Sequence, residues 1–170
     1  MSRRFHLSND PKLQVRFPDK VLGNGNFKPK GFWYDVSLDW LRWLEGENYL
    51  NDDHWMRPYL YEVFINEAAC LTIRDVAELD DFHKRYSKLM LPGLHLKDID
   101  WDLIAERYSG VEIAPYLWER RLYTGFTWYY AWDCASGVVW RPDALKDIRL
   151  LTRTKRKTIK FYKNQKGSSE

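Results

Sequence analysis

The sequence predicts an α+β domain in which small strands are mixed with short helices. Three observations carry that expectation. The apolar pattern switches back and forth between period two, as in "PYLYEVFI", and helical spacing, as in "LDWLRWLEGEN". The strands do not alternate with long helices as a doubly wound parallel sheet requires. The chain has 170 residues, of which 16% are aromatic, enough for one well-buried core and too few for two.

Each element follows from its local pattern. "RRFHLS" reads as a first strand, with His6 and Ser8 on one face. The stretch after it is loop-rich, with prolines on both sides of "GNGN". "GFWYDVS" is a second strand. A helix follows over "LDWLRWLEGEN", with Leu38, Leu41 and Leu44 at helical spacing and Ser37 or Asp39 near its cap. "PYLYEVFI" and "CLTIR" read as strands, and "DVAELDDFHKRYS" as an amphipathic helix opened by an Asp cap. "LPGLHLKDI" reads as loop, "DWDLIAERY" as a short helix, and "SGVEIAPY" as a strand. The aromatic run "WYYAWDCASGVVW" is expected to be another strand, closed by a turn at "PDAL". We divide the chain into a domain over 1–150 and a basic C-terminal strand or tail over 151–170. The tail has no acid from Arg149 to Lys166, and "TIKFY" alternates so that Ile159 and Phe161 face a core. A second reading makes its lysines and arginines, interleaved with Phe161 and Tyr162, a surface for nucleic acid.

Composition excludes some classes. Formal net charge is only +3, so bulk electrostatics does not demand a nucleic-acid partner. No apolar run approaches membrane-spanning length, and "MSRRFHLSND" turns polar at once, so a cytoplasmic chain without membrane contact is expected. Cys70 and Cys134 make no disulfide framework. CxxC and HExxH are missing and His6, His54, His83 and His95 are scattered, so no metal is expected. Neither a Walker phosphate loop nor a GxSxG elbow is present.

Asp133 is the anomaly. It sits inside the aromatic run, where an unpaired carboxylate costs several kcal/mol, on the order of a buried bare charge, unless it is paired or used. Taken alone, it reads as a turn cap near Ser136 and Gly137. Taken alone, His6 reads as a surface or core imidazole, and Trp33 and Tyr34 as core.

In combination these residues suggest more. The order "FHLS", "GFWY", "WDCASGVVW" resembles the diphtheria-toxin and poly-ADP-ribose polymerase branch of the ADP-ribosyltransferases: a His on the first strand, an aromatic on the next, an acid near a late strand. "YSGVEI" followed by "GVVWRPDAL" is similar to the late pair of segments in small members. The resemblance implies a split two-sheet α+β core and NAD as co-substrate without a metal. It also implies transfer of ADP-ribose to a macromolecular acceptor, protein or nucleic acid, with release of nicotinamide. The compact size suits a stand-alone effector of toxin or phage type.

Roles carry over residue by residue. His6 would meet the adenosine-side ribose and the Leu7 backbone the nicotinamide amide, with Ser8 also in the NAD site. Tyr34, with Trp33 as the close alternative, would stack on the nicotinamide; period two sends the two to opposite faces, so one of them does it. One lysine of "KPKG", Lys28 or Lys30, would meet the pyrophosphate. Asp133 would stabilise the ribosyl cation, with Glu112 as the rival acid. Arg120 and Arg121 would face the acceptor. Asp133 stands where the family mostly has Glu. Ala131 stands where arginine-modifying members carry an acid or amide, which argues against that specificity. Two other functions stay open. One is a non-catalytic nucleic-acid or nucleotide-binding module built on the basic tail; the other is an RNA-end-modifying relative of the same fold.

Overall fold

The structure, a computed structural model, describes residues 2–21, 27–91 and 94–167. It is α+β, as expected. Among the described residues nine strands form a seven-stranded sheet and a two-stranded sheet, with short helices packed around them. The strands are β1 (Arg4–Ser8), β2 (Phe32–Val36), β3 (Tyr59–Ile65), β4 (Cys70–Ile73), β5 (Ser87–Leu91), β6 (Leu94–Ile99), β7 (Gly110–Ile113), β8 (Ser136–Val139) and β9 (Leu145–Thr152). The helices are α1 (Asp39–Gly46), α2 (Val76–Tyr86), α3 (Trp101–Ala105), α4 (Trp118–Arg121), α5 (Thr127–Tyr130) and α6 (Lys155–Lys166). The large sheet runs in the order β4-β7-β8-β2-β1-β3-β9, and its neighbours pair antiparallel except β4 with β7.

Register assigns the two faces. Phe5 stands opposite Asp35, Trp33 opposite Val138, and Asp35 opposite Ser136. These share one face, because residues paired across a ladder point the same way. Arg4, Val36, Tyr34, Gly137 and Glu112 share the other. The segment after β1 covers that second face. The Tyr61 hydroxyl donates to the Asp10 carbonyl and accepts from the Leu13 amide, and Leu13, Val15 and Phe17 pack on the core. Two groups of helices cover the first face. α1 and α6 close a small core around Phe5, Leu38, Leu41, Leu44 and Leu60. Trp101, Trp128 and Trp132, all fully buried, form the other group with α2.

Three local expectations are corrected. The aromatic run is not one strand. Its first half is the single turn α5, residues 131–135 are irregular, and only Ser136–Val139 is β. Trp128, Tyr129 and Trp132 bury themselves at helical spacing, which outweighs the β propensity of their rings. "LPGLHLKDI" is the end of β5 and all of β6, paired antiparallel, rather than loop; residues 92–93 lie outside the described residues. "TIKFY" is helix, not strand. Thr154 caps α6 by accepting from the Lys157 amide, and Thr158 and Tyr162, one turn apart, are the buried pair. The last strand is β9, one segment earlier. "GNGN" lies outside the described residues.

The tail is therefore structural at its inner face. Phe161 meets Phe5 edge-on at 6.1 Å, and the Tyr162 hydroxyl donates to Glu45 of α1 at 2.7 Å. Truncation after Thr154 is expected to lower the melting temperature. Each large apolar side chain that loses its burial costs about 1.5–3 kcal/mol, with Phe161 and Tyr162 the main losses. Thermal unfolding of full-length and truncated protein checks this, and equal midpoints would refute it.

Candidate functional site

The two helix groups leave a cleft of about 400 Å³ on the first face, within the size range of cofactor sites. Phe5, Leu7, Trp33, Asp35 and Ser136 form its floor. Trp40, Trp55 and Arg57 stand on the α1 side; Lys28, Asp133 and Cys134 stand opposite. His6 and Tyr34 also border it.

The cleft opens where the sheet comes apart. β1 pairs with β3 over its whole length, from Arg4–Val63 to Ser8–Tyr59. Its ladder with β2 covers only Arg4–Val36 and Phe5–Asp35. In that frame the next rung joins Leu7 to Trp33, and it is absent. The Trp33 carbonyl instead accepts from His6 Nδ1 at 2.7 Å. A carbonyl only accepts, so Nδ1 carries the proton. Burial pushes the His6 pKa down, which keeps the ring neutral and leaves Nε2 an acceptor. The imidazole thus takes the carbonyl that a Leu7 rung would have used.

The neighbouring aromatics divide their work by period two. Trp33 is half-buried, meets Trp132 edge-on at 4.9 Å, and has Lys28 Nζ 5.4 Å from its ring centre. The Tyr34 ring leaves from the opposite face and crosses Gly137, where a Cβ would stand 2.3 Å from the Tyr34 oxygen. Glycine is needed there for that close approach. Burial, then the nearby Glu112 charge, push the Tyr34 pKa well up. The ring that faces the cleft is Trp33.

Asp133 resolves the anomaly of its position by pairing. It lies in the irregular segment before β8, 26% exposed, with Lys28 Nζ and Arg121 Nη2 each 3.6 Å from one of its oxygens. Those separations give charge compensation without short hydrogen bonds, so both oxygens retain accepting capacity. Its segment is clamped. The Ala135 carbonyl accepts from Val36 N at 2.9 Å, and the Ala135 amide donates to Asp39 Oδ2 at 2.7 Å. Asp39 sits in the first turn of α1, so the helix that walls the cleft also fixes the acid. The sequence pattern places Asp39 only near the helix cap and gives no sign of this clamp.

The remaining candidates scatter. Lys28, not Lys30, reaches the cleft; Lys30 is exposed and its amide bonds Val21. Ser8 is tied into a turn, accepting from the Asp10 amide at 2.9 Å. Arg120 is held bidentately by Asp80 at 2.7 and 2.6 Å, whereas Arg121 points to Asp133. Glu112 lies on the other face, gripped by Arg4 at 2.6 and 3.0 Å. Trp40, Trp55 and Arg57 had no sequence signal beyond tryptophan abundance. Cys70 and Cys134 are free and buried. Among the described residues no His, Cys, Asp and Glu group could hold a metal, and no helix is long and apolar enough to cross a membrane. Compared with known proteins, the chain matches no family model, no curated protein and no solved structure.

Proposed function

We propose that the protein is an NAD-dependent ADP-ribosyltransferase with a split ADP-ribosyltransferase-like core, and that the cleft is its NAD site. One observation carries the reading. His6, Leu7, Trp33 and Asp133, distant in sequence and singled out by their order, line one cleft where the β1–β2 ladder lapses.

The roles follow from the chemistry of each group. The Leu7 amide, freed from the ladder, donates to the nicotinamide carboxamide. Trp33 offers its π-face to the pyridinium, a cation that stacks well on indole. Neutral His6 accepts from a ribose hydroxyl through Nε2. Lys28 and Arg57 take the pyrophosphate as point charge and planar fork. As the bond from ribose to nicotinamide breaks, the electron pair leaves with the nicotinamide nitrogen and the ribose becomes cationic. Asp133, fixed in advance by the Asp39 and Val36 contacts, stabilises that charge in surroundings drier than water. Lys28 and Arg121 flank the carboxylate at 3.6 Å until the pyrophosphate draws Lys28 away.

Trp33→Ala is expected to weaken NAD binding by about 1–3 kcal/mol, the worth of a lost aromatic stack and its buried area. Tyr34→Phe should leave binding unchanged, because that hydroxyl sits across the sheet. Calorimetry on both variants and the wild type checks this. Wild-type protein that binds no NAD at millimolar concentration would favour the non-catalytic nucleic-acid or nucleotide-binding reading, for which the basic surface of α6 is the supporting observation.

A further inference from the structure

We propose that the acceptor is single-stranded nucleic acid, its backbone carried on α6 and one base laid on an exposed aromatic lip beside Asp133. The chemistry rests on the transferase reading above; the surface does not.

The lip is the first observation. Among the described residues the exposed aromatics are Trp55, at 37%, and Trp118, Tyr123 and Tyr130, at 64%, 58% and 56%, the last three all on or between α4 and α5. Packing does not account for such a cluster, and grouped exposed rings mark contact sites. The Arg121 guanidinium lies 5.4 Å from the Trp118 ring centre and 5.2 Å from that of Tyr130, and its Nη2 is 3.6 Å from Asp133. Flat rings, a guanidinium and the proposed reactive carboxylate therefore meet at one rim of the cleft.

The second observation is the charge on α6, which packs beside α1. No acid occurs between Asp147 and the end of the described residues. Arg153, Arg156, Lys157 and Lys160 are exposed and make no ion pair among the described residues. α6 is joined to the cleft. Phe161 rests on Phe5 of its floor, and Lys155 pairs with Asp53 in the loop that supplies Trp55 and Arg57.

An acidic peptide would satisfy the cations but has no use for the rings. A single strand uses both, since phosphates neutralise lysines and arginines while every base has a face to stack. A duplex would have to unstack its base first, so the strand must be single or locally open. A base nitrogen then bonds to the ribose carbon that nicotinamide leaves. The old C–N pair departs on nicotinamide, and the proton lost by the base nitrogen passes to Asp133, with no net redox change.

The test is fluorescence anisotropy with labelled mixed-sequence DNA and RNA oligonucleotides of about 20 nucleotides, without NAD, across about 50–200 mM salt. Wild type should bind, more weakly as salt rises. Arg156→Ala, Lys157→Ala and Lys160→Ala together should flatten the logarithmic salt slope by about 2, at roughly 0.7 per single-strand phosphate contact. Trp118→Ala with Tyr130→Ala should weaken binding about tenfold at an unchanged slope, as for loss of base stacking. A wild type that ignores both oligonucleotides, or binding untouched by both variant sets, overturns the proposal. Adenine-labelled NAD supplied with oligonucleotide and lysate protein should put label on the nuclease-sensitive fraction; label on protein alone also overturns it. Oligonucleotide binding without any nicotinamide release would overturn the transferase reading while supporting this surface.

Discussion

Asp133→Asn is expected to keep the fold and to cut nicotinamide release by about 10²-fold or more, the usual loss when a preorganised electrostatic partner of the transition state is removed. The fold should survive because Asp133 is partly exposed and its two cationic partners stand 3.6 Å away. Pairs of that kind are worth about 0–1 kcal/mol. The Ala135 clamps on its segment use backbone atoms and Asp39, none of which the substitution touches. The loss should fall on kcat. NAD binding should hold or tighten, because Lys28 no longer has a carboxylate competing with the pyrophosphate. Asp133→Glu is the informative companion: it keeps the charge and reaches one methylene further, so part of the rate should remain. Chromatographic measurement of nicotinamide from NAD decides the matter. Equal release by wild type and Asp133→Asn would remove Asp133 from the mechanism.

How much of this was legible in the sequence follows from which forces act locally. β1, β2, β3 and α2 declared themselves through period and caps, and the structure has them where the pattern puts them. α6 did not, because Ile159 and Phe161 alternate as well as any strand, while the deciding pair, Thr158 and Tyr162, buries against α1 and β9 from elsewhere in the chain. The aromatic run misled for the same reason: ring propensity is a local signal, and the burial that bent Trp128 and Trp132 into a turn is tertiary. At the site, period two showed that Trp33 and Tyr34 must face opposite ways. It was silent on which faces the cleft, since that depends on Gly137 accepting the Tyr34 ring. The choice of Lys28 over Lys30 and of Arg121 over Arg120 was equally closed to sequence, because neighbours differ only in the direction the backbone gives them.

Glu112→Ala is expected to cost stability rather than chemistry, which separates the two acids. Glu112 is 6% exposed on β7 and takes two bonds from Arg4, itself 12% exposed. Removing one member of a buried pair strands the other charge, a loss of about 3–5 kcal/mol. Glu67 also accepts from Arg4 at 2.7 Å and keeps it partly compensated, which points to the lower end of that range. For a domain of this length the melting temperature should drop by roughly 10 °C. Glu112→Gln keeps the shape and one acceptor, so it should lose less. Below its melting temperature it should release nicotinamide as wild type does, because the Arg4–Glu112 pair lies across the sheet from the cleft. Folded Glu112→Gln protein that has lost nicotinamide release, with Asp133→Asn retaining it, would exchange the roles of the two acids: Arg4 would then be the holder of a catalytic carboxylate, and Lys28 and Arg121 the partners of a surface charge.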